Sequence, residues 1–186
     1  MSYDEYVALV DASETQYEYV NGEAYATAGG TPRHSAVCAN VLIALGNLLR
    51  GQPCRVYQSD LRVRVEATGM STYPDVTIVC GPVATSPKDR VAATNPRVIV
   101  EVTSESTEAY DRGAKFQHYQ AIPSLTDYVV VASDRERVDH FTREPDGSWR
   151  LWPIGPTAPR DVRITSIDAT LALDDVYAKL DDTPIG

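Results

Sequence analysis

Phenylalanine, tryptophan and methionine are scarce in this 186-residue chain, with two of each, and cysteine and histidine occur only three times each. Cys38, Cys54 and Cys80 are odd in number, widely spaced and contain no C-x-x-C pair. That pattern argues against a disulfide framework and a zinc site, so reduced thiols packed in the interior are expected. His34, His118 and His140 are equally scattered, with no H-E-x-x-H motif, and any metal is therefore expected to be held by oxygen. Long apolar runs are missing too. The stretch "VCANVLIALGNLL" is broken by Asn40, Gly46 and Asn47 and falls short of the roughly 18 residues that cross a bilayer. The start, "MSYDEY", is acidic and lacks the basic-then-apolar order of a secretory signal. No membrane partner is expected, and the cytoplasm is the expected compartment.

An excess of basic charge is also absent. Seventeen Lys and Arg against 26 Asp and Glu give a net charge of −9 and a pI near 4.7, which disfavours broad electrostatic attraction to nucleic acid. Net charge averages over the surface, however, and Arg55, Arg62, Arg64, Arg90, Arg97 and Arg112 can form a local basic rim around an acidic site. The alternative is an ordinary solvated mixed surface. A length of 186 residues with 43% hydrophobic and 23% charged residues suits one globular domain, expected to span 1–186.

Along the chain, Ser2-x-x-Glu5 has capping-box spacing and introduces a short N-terminal helix, "YDEYVALV". "TQYEYVNGEAYAT" alternates around Asn21-Gly22, the pair that best supplies the positive φ angles of a two-residue hairpin turn. Thr31-Pro32 reads as an N-cap and first helical residue. Val37, Val41, Leu45, Leu48 and Leu49 then recur at helical spacing up to Gly51. "RVYQS" and "LRVRV" follow as strands, the second with Leu61, Val63 and Val65 buried and Arg62 and Arg64 on the opposite face. "YPDVTIVCG" and "PRVIVEVT" are dense in Val and Ile, as central strands are. "TEAYDRGAKFQHYQAI" reads as a helix stopped by Pro123. "TDYVVVAS", "RVDHFTR" and "SWRLWPI" are strands, the last two joined at Pro145-Asp146-Gly147, and "ATLALDDVYAKL" is a strand and short helix. The order αββαββββαβββ predicts an α/β (α+β) protein with a mixed central sheet flanked by helices.

Chemistry concentrates at Asp75, at the entrance to "VTIV", and at Glu101, inside "VIVEVT". Glu101 stands among β-branched apolar residues, where an unpaired ion costs several kcal/mol. Two carboxylates at one end of a sheet repel, and a shared proton or a bound cation relieves the repulsion. A hard divalent ion such as Mg²⁺ suits such a pair, because it prefers oxygen and retains waters that a phosphate can displace. Lys115 lies downstream on the helix and can reach back over the carboxylates to orient water and offset charge developing on a phosphate. The bland reading pairs it with Asp111 at i, i+4 on the surface.

The run Pro74-Asp75, "VIVEVTSEST" and "YDRGAKFQHYQAIPSLTDYVVV", with "YEYVNGE" and "PRH" before it, resembles the Uma-two family of restriction-endonuclease-like proteins, within the PD-(D/E)XK nuclease superfamily. The similarity covers roughly Ser2 to Trp152. It implies a restriction-endonuclease-like core, with Asp75 as the motif aspartate and Glu101 as its second acid. Thr103 stands where the superfamily usually has lysine, and Lys115 matches the site on the following helix to which this family is thought to move it. By the same resemblance the main-chain carbonyl of Val102 is a further metal ligand, and Glu18 matches a glutamate that can complete the acidic cluster. His34, in the first turn of the long helix, can contact a phosphate or serve as a structural histidine.

The expectation is a Mg²⁺- or Mn²⁺-dependent endonuclease hydrolysing DNA phosphodiester bonds. Its site is Asp75, Glu101, Lys115 and Glu18, with the Val102 carbonyl on the metal and His34, Arg62, Arg64 and Arg112 near DNA. Cutting both strands favours a homodimer. The alternative is an inactive nuclease-fold protein that binds nucleic acid or a protein partner. A metal-free acid–base enzyme ranks last, since no histidine or G-x-S-x-G serine accompanies the acids.

Overall fold

Local signals at the N-terminus act as their chemistry dictates. In the computed structural model, which describes residues 1–27, 29–157 and 159–180, Ser2 and Glu5 close a capping box at the head of α1 (Tyr3–Asp11). The last six residues of the expected 1–186 domain lie outside the described residues. Asn21 and Gly22 take φ values of +52° and +88° and turn β1 (Tyr17–Val20) into β2 (Glu23–Ala26). Thr31 caps α2 (Pro32–Leu48) by accepting the His34 N–H at 3.2 Å.

The chain continues through β3 (Cys54–Gln58), β4 (Val63–Arg64), β5 (Ser71–Thr72), β6 (Val76–Cys80), β7 (Thr85–Ser86), β8 (Asp89–Ala93) and β9 (Val98–Thr103). Two short helices, α3 (Glu108–Tyr110) and α4 (Phe116–Tyr119), flank a π-helical turn at Asp111–Lys115. The remainder is β10 (Asp127–Ala132), β11 (Val138–Arg143), β12 (Trp149–Ile154), β13 (Asp161–Ile164), β14 (Ala169–Ala172) and α5 (Leu173–Val176).

The strands form two six-stranded mixed sheets, ordered β12-β11-β10-β9-β6-β3 and β2-β1-β5-β4-β8-β7, and a β13–β14 hairpin. The α+β class is as expected, but the second sheet was not resolved in the sequence. Its β4, β5 and β7 are two residues long, too short to show any period.

The first sheet positions the site. β9 runs parallel to β10 and antiparallel to β6, and every residue of β9 and β10 is buried. Val98, Val100 and Val102 join Val37, Val41 and Leu45 of α2 in one core. Ile99 faces the other way, into a second core with Phe116, Tyr119 and Tyr128. With a period of two, Glu101 shares the face of Ile99. Val76 stands opposite Val100, so Asp75, one residue before it, comes alongside Glu101 at the end of the sheet.

Three expectations need correction. Arg62 and Arg64 do not present guanidinium groups to solvent: both are buried. Arg62 pairs with Asp89 at 2.5 Å and donates to the Tyr73 hydroxyl at 2.9 Å, while Arg64 lies 3.4 Å from the centre of the Tyr3 ring. The second sheet covers the face that alternation alone assigns to water. The helix expected over 107–122 is instead broken by the π turn, anchored by the Tyr128 hydroxyl donating to the Asp111 carbonyl at 2.9 Å. Finally, Cys54 and Cys80 are bonded, and Cys38 alone is a free thiol. The β3–β6 register sets these two residues directly opposite each other, a proximity that their separation of 26 residues conceals. Oxidised, unreduced protein should therefore yield one titratable thiol when denatured, and three after reduction. Replacing Cys54 and Cys80 by serine should cost about 2–4 kcal/mol in urea unfolding; three thiols before reduction would contradict the bond.

Candidate active site

Glu101 is 4% exposed, and its charge partner is Lys115, whose Nζ lies 3.0 Å from Glu101 Oε1. The same carboxylate oxygen accepts the Tyr119 hydroxyl at 2.7 Å. Lys115 Nζ is also 3.1 Å from Glu18 Oε1 and 3.7 Å from Asp111 Oδ1, so one ammonium gathers acids from β9, β1 and its own helix. Thr72 on β5 donates to Glu18 and holds it from the second sheet. Lys115 is thus not a surface residue paired with Asp111, because both are buried. The π turn carries both residues and lengthens the helical hydrogen-bond span by one residue, to i→i+5, where they face the sheet, a distortion frequent at functional sites.

Asp75 completes the arrangement from the strand entrance. Its Oδ2 accepts the Val102 N–H at 2.8 Å and lies 3.6 Å from His34 Nε2. His34 Nε2 also meets the Val102 carbonyl oxygen at 2.8 Å. Val102 therefore ties together strand, helix and strand entrance through its main chain alone. Glu18, His34, Asp75, Glu101, Val102 and Lys115 all line one cleft of about 1540 Å³. Arg62, Arg64 and Arg112 do not line it. Arg112 is taken up by Glu108, at 2.8 Å, and by Asp139, so the expected basic rim is not built from these three.

The electrostatics follow from burial. Glu101 has its pKa pushed up to about 8, first by burial, which Lys115 opposes, and further by Asp75, Asp111 and Glu18. Burial works against the Lys115 ammonium, but Glu101, Glu18 and Asp111 outweigh it and hold the group charged. Burial also raises Asp111. His34 is raised, first by its contact with Asp75 and against the effect of burial. Three carboxylates, on Glu18, Glu101 and Asp111, thus meet a single ammonium among the described residues, with Asp75 and His34 beside them. Their surplus of hard oxygen donors and negative charge fits a divalent cation.

Asp111, Tyr119, Thr72 and Cys38 were not singled out in the sequence as parts of a site. For Asp111 the only signal was its i, i+4 spacing from Lys115, and for the others nothing short of tertiary packing marks them.

A mixed sheet carrying an acidic cluster at one strand end, with a lysine delivered by the following helix, defines a nuclease-like fold. The match to solved structures agrees. The crystal structure of "a putative nuclease belonging to DUF820" from Anabaena variabilis superposes with a TM-score of 0.77, covering 96% of this chain and 98% of that one at 15% identity. At that identity the likeness speaks for the fold. The Synechocystis sp. protein slr1290 is 34% identical over 183 residues, 97% of this chain and 93% of its own length. A second Synechocystis sp. protein, sll1609, is 27% identical over 147 residues, 79% of this chain and 83% of its own length. Residues 3–173 match the profile of the Uma2 family, described as "Putative restriction endonuclease". The chain belongs to the Uma2 family.

The buried pair makes a direct prediction. Lys115→Met leaves the Glu101 carboxylate without its cation and should destabilise the protein by about 3–5 kcal/mol, whereas Glu101→Gln combined with Lys115→Met should recover most of that loss. Urea unfolding above the Glu101 pKa of about 8, where the group is ionised, reads the difference, and a double variant as unstable as Lys115→Met alone would refute the coupling.

Proposed function

We propose that this chain is a single-domain, divalent-metal-dependent endonuclease that hydrolyses DNA phosphodiester bonds. The observation that carries the reading is the convergence of Asp75, Glu101 and Lys115 on one cleft at the end of the first sheet. Asp75, Glu101 and the Val102 carbonyl would hold Mg²⁺ or Mn²⁺. Bound there, the ion supplies Lewis-acid polarisation of the phosphate ester and acidifies a coordinated water.

The chain's own residues do the rest. Lys115 offers ammonium hydrogens to the attacking water and to the phosphate oxygens on which charge develops. Glu18 and Asp111 keep that ammonium charged and aimed between the acids. Tyr119 fixes the orientation of the Glu101 carboxylate. His34, held by Asp75 and Val102, stands at the same cleft, where its imidazole can meet a phosphate. Arg62, Arg64 and Arg112 have no part in binding DNA in this reading, since their guanidinium groups serve internal pairs. Cleavage of both strands calls for two such clefts, which a homodimer supplies. A DNA substrate makes the cytoplasm the working compartment, and its redox poise decides whether Cys54 and Cys80 are bonded there.

One feature favours a second reading, a nuclease-fold protein that binds without turnover: Thr103 replaces the usual lysine, and Lys115 is already engaged by Glu101. Calorimetric titration with Mn²⁺ separates the two. The nuclease reading predicts heat of binding in the wild type that is lost in Asp75→Ala and Glu101→Ala, together with Mn²⁺-dependent nicking of plasmid DNA that Lys115→Ala abolishes. Absence of both heat and nicking in the wild type would favour the binding protein.

Because Glu101 carries a proton below about pH 8 in the metal-free protein, a cation must displace that proton. Mn²⁺ affinity should therefore rise by up to about tenfold per pH unit as pH climbs towards 8, and level off above it. A flat profile between pH 6 and 8, on the order of those limits, would remove Glu101 from the ligand set.

A further inference from the structure

The residues around Asp75 include donors that a hard-cation site does not need. His34 and Cys38 stand at i and i+4 on α2 and so share one face of that helix. Asp75 approaches the same face from the entrance to β6. One ligand atom from each of the three lies within 4.8 Å of the others. His34 Nε2 is 3.6 Å from Asp75 Oδ2, and Cys38 Sγ is 3.6 Å from His34 Nδ1 and 4.0 Å from Nε2. Around a tetrahedral Zn²⁺, with bonds of roughly 2.0–2.3 Å, neighbouring donor atoms stand about 3.3–3.6 Å apart. The His34–Asp75 separation already matches this spacing, and Cys38 Sγ, 4.0 Å from Nε2, must move inward to join it.

We propose that His34, Cys38 and Asp75 form a binding position for a borderline divalent cation of the Zn²⁺ and Co²⁺ kind, distinct from the hard-cation position at Glu101. Thiolate and imidazole are the donors that select such ions over Mg²⁺. Such a site would depart from the expectation that any metal is held by oxygen alone. No spaced motif announces it, because the donors come from two elements 37 residues apart, counting from Cys38 to Asp75.

The surroundings are built to hold the imidazole. A Cβ at Gly30 would come within 2.5 Å of His34 Nδ1, so the ring takes up the space that only a glycine leaves. The Thr31 cap fixes the His34 main chain, and the bond between Nε2 and the Val102 carbonyl oxygen orients the ring. A cation at Nε2 replaces that bond. On coordination the Cys38 thiol loses its proton to solvent and binds as the thiolate. His34, Cys38 and Asp75 are each half-buried and line the large cleft, so an ion reaches them from water. That Asp75 is shared between two cation positions rests on the nuclease reading; the His34–Cys38–Asp75 grouping itself does not.

The test is titration of the full-length protein with Co²⁺, in a background where Cys54 and Cys80 are serine so that Cys38 is the only thiol. One equivalent of Co²⁺ should bind with a thiolate-to-cobalt charge-transfer absorption in the near ultraviolet, displaced by Zn²⁺ and unaffected by excess Mg²⁺. Cys38→Ser should abolish that absorption, and Cys38→Ser and His34→Ala should each weaken Zn²⁺ binding by at least about tenfold. Glu101→Gln should leave the absorption intact. A protein that binds Co²⁺ without the absorption, or binds none, overturns the proposal, as does a Cys38→Ser variant that holds Zn²⁺ as tightly as its parent. Mn²⁺ heat that is absent while the cobalt absorption persists would count against the nuclease reading alone. The reverse result would count against this proposal alone.

Discussion

The carboxylate of Glu101 is buried in the middle of an apolar strand, and almost everything around it answers to that one constraint. A charge taken out of water must be matched nearby or neutralised by a proton. Here Lys115 supplies the ammonium and Tyr119 a hydroxyl donor, and the pKa of Glu101 is nonetheless driven upward. Matching one acid does not exhaust the ammonium, which also draws in Glu18 and Asp111. The result is a cluster whose negative charge exceeds what its own lysine can balance. That surplus is the physical basis for reading the site as a place for cations.

The same constraint explains why two sheets and a distorted helix converge there. Glu18 comes from β1 of the second sheet and is steadied by Thr72 on β5, while Glu101 belongs to the first sheet. The acidic cluster is thus a joint between the sheets, and Lys115 spans it. A regular α-helix through residues 111–115 would rotate Asp111 and Lys115 differently relative to the sheet. The π turn, held by the Tyr128 hydroxyl, sets their direction. Structural and chemical demands coincide in these residues, so removing any one of them disturbs packing and electrostatics together.

The arginines show the opposite economy of charge. In a chain of net charge −9, Arg62, Arg64 and Arg112 are not spread on the surface to attract an anion. Arg62 is fastened to Asp89 and Tyr73, Arg64 covers the Tyr3 ring, and Arg112 bridges Glu108 and Asp139. The second sheet covers the side of "LRVRV" that alternation alone assigns to solvent. Pattern reasoning fails there because it assumes one layer of neighbours, and the strands of the second layer are too short to be seen.

What the sequence determined by itself is everything governed by neighbours along the chain. The Ser2–Glu5 cap, the Asn21-Gly22 turn, the Thr31-Pro32 helix start and the apolar runs of β6, β9 and β10 all rest on interactions within a few residues. Asp75 and Glu101 were legible for the same reason, as acids set against apolar strands, and Lys115 as a lysine on the following helix that the family resemblance then singled out. The tertiary structure alone decided which distant groups meet. It bonded Cys54 to Cys80 through strand register, gathered Glu18 and Tyr119 around Lys115 and Glu101, and brought His34 and Cys38 to Asp75. Such contacts are set by how sheets and helices pack in three dimensions, and no spacing along the chain encodes them.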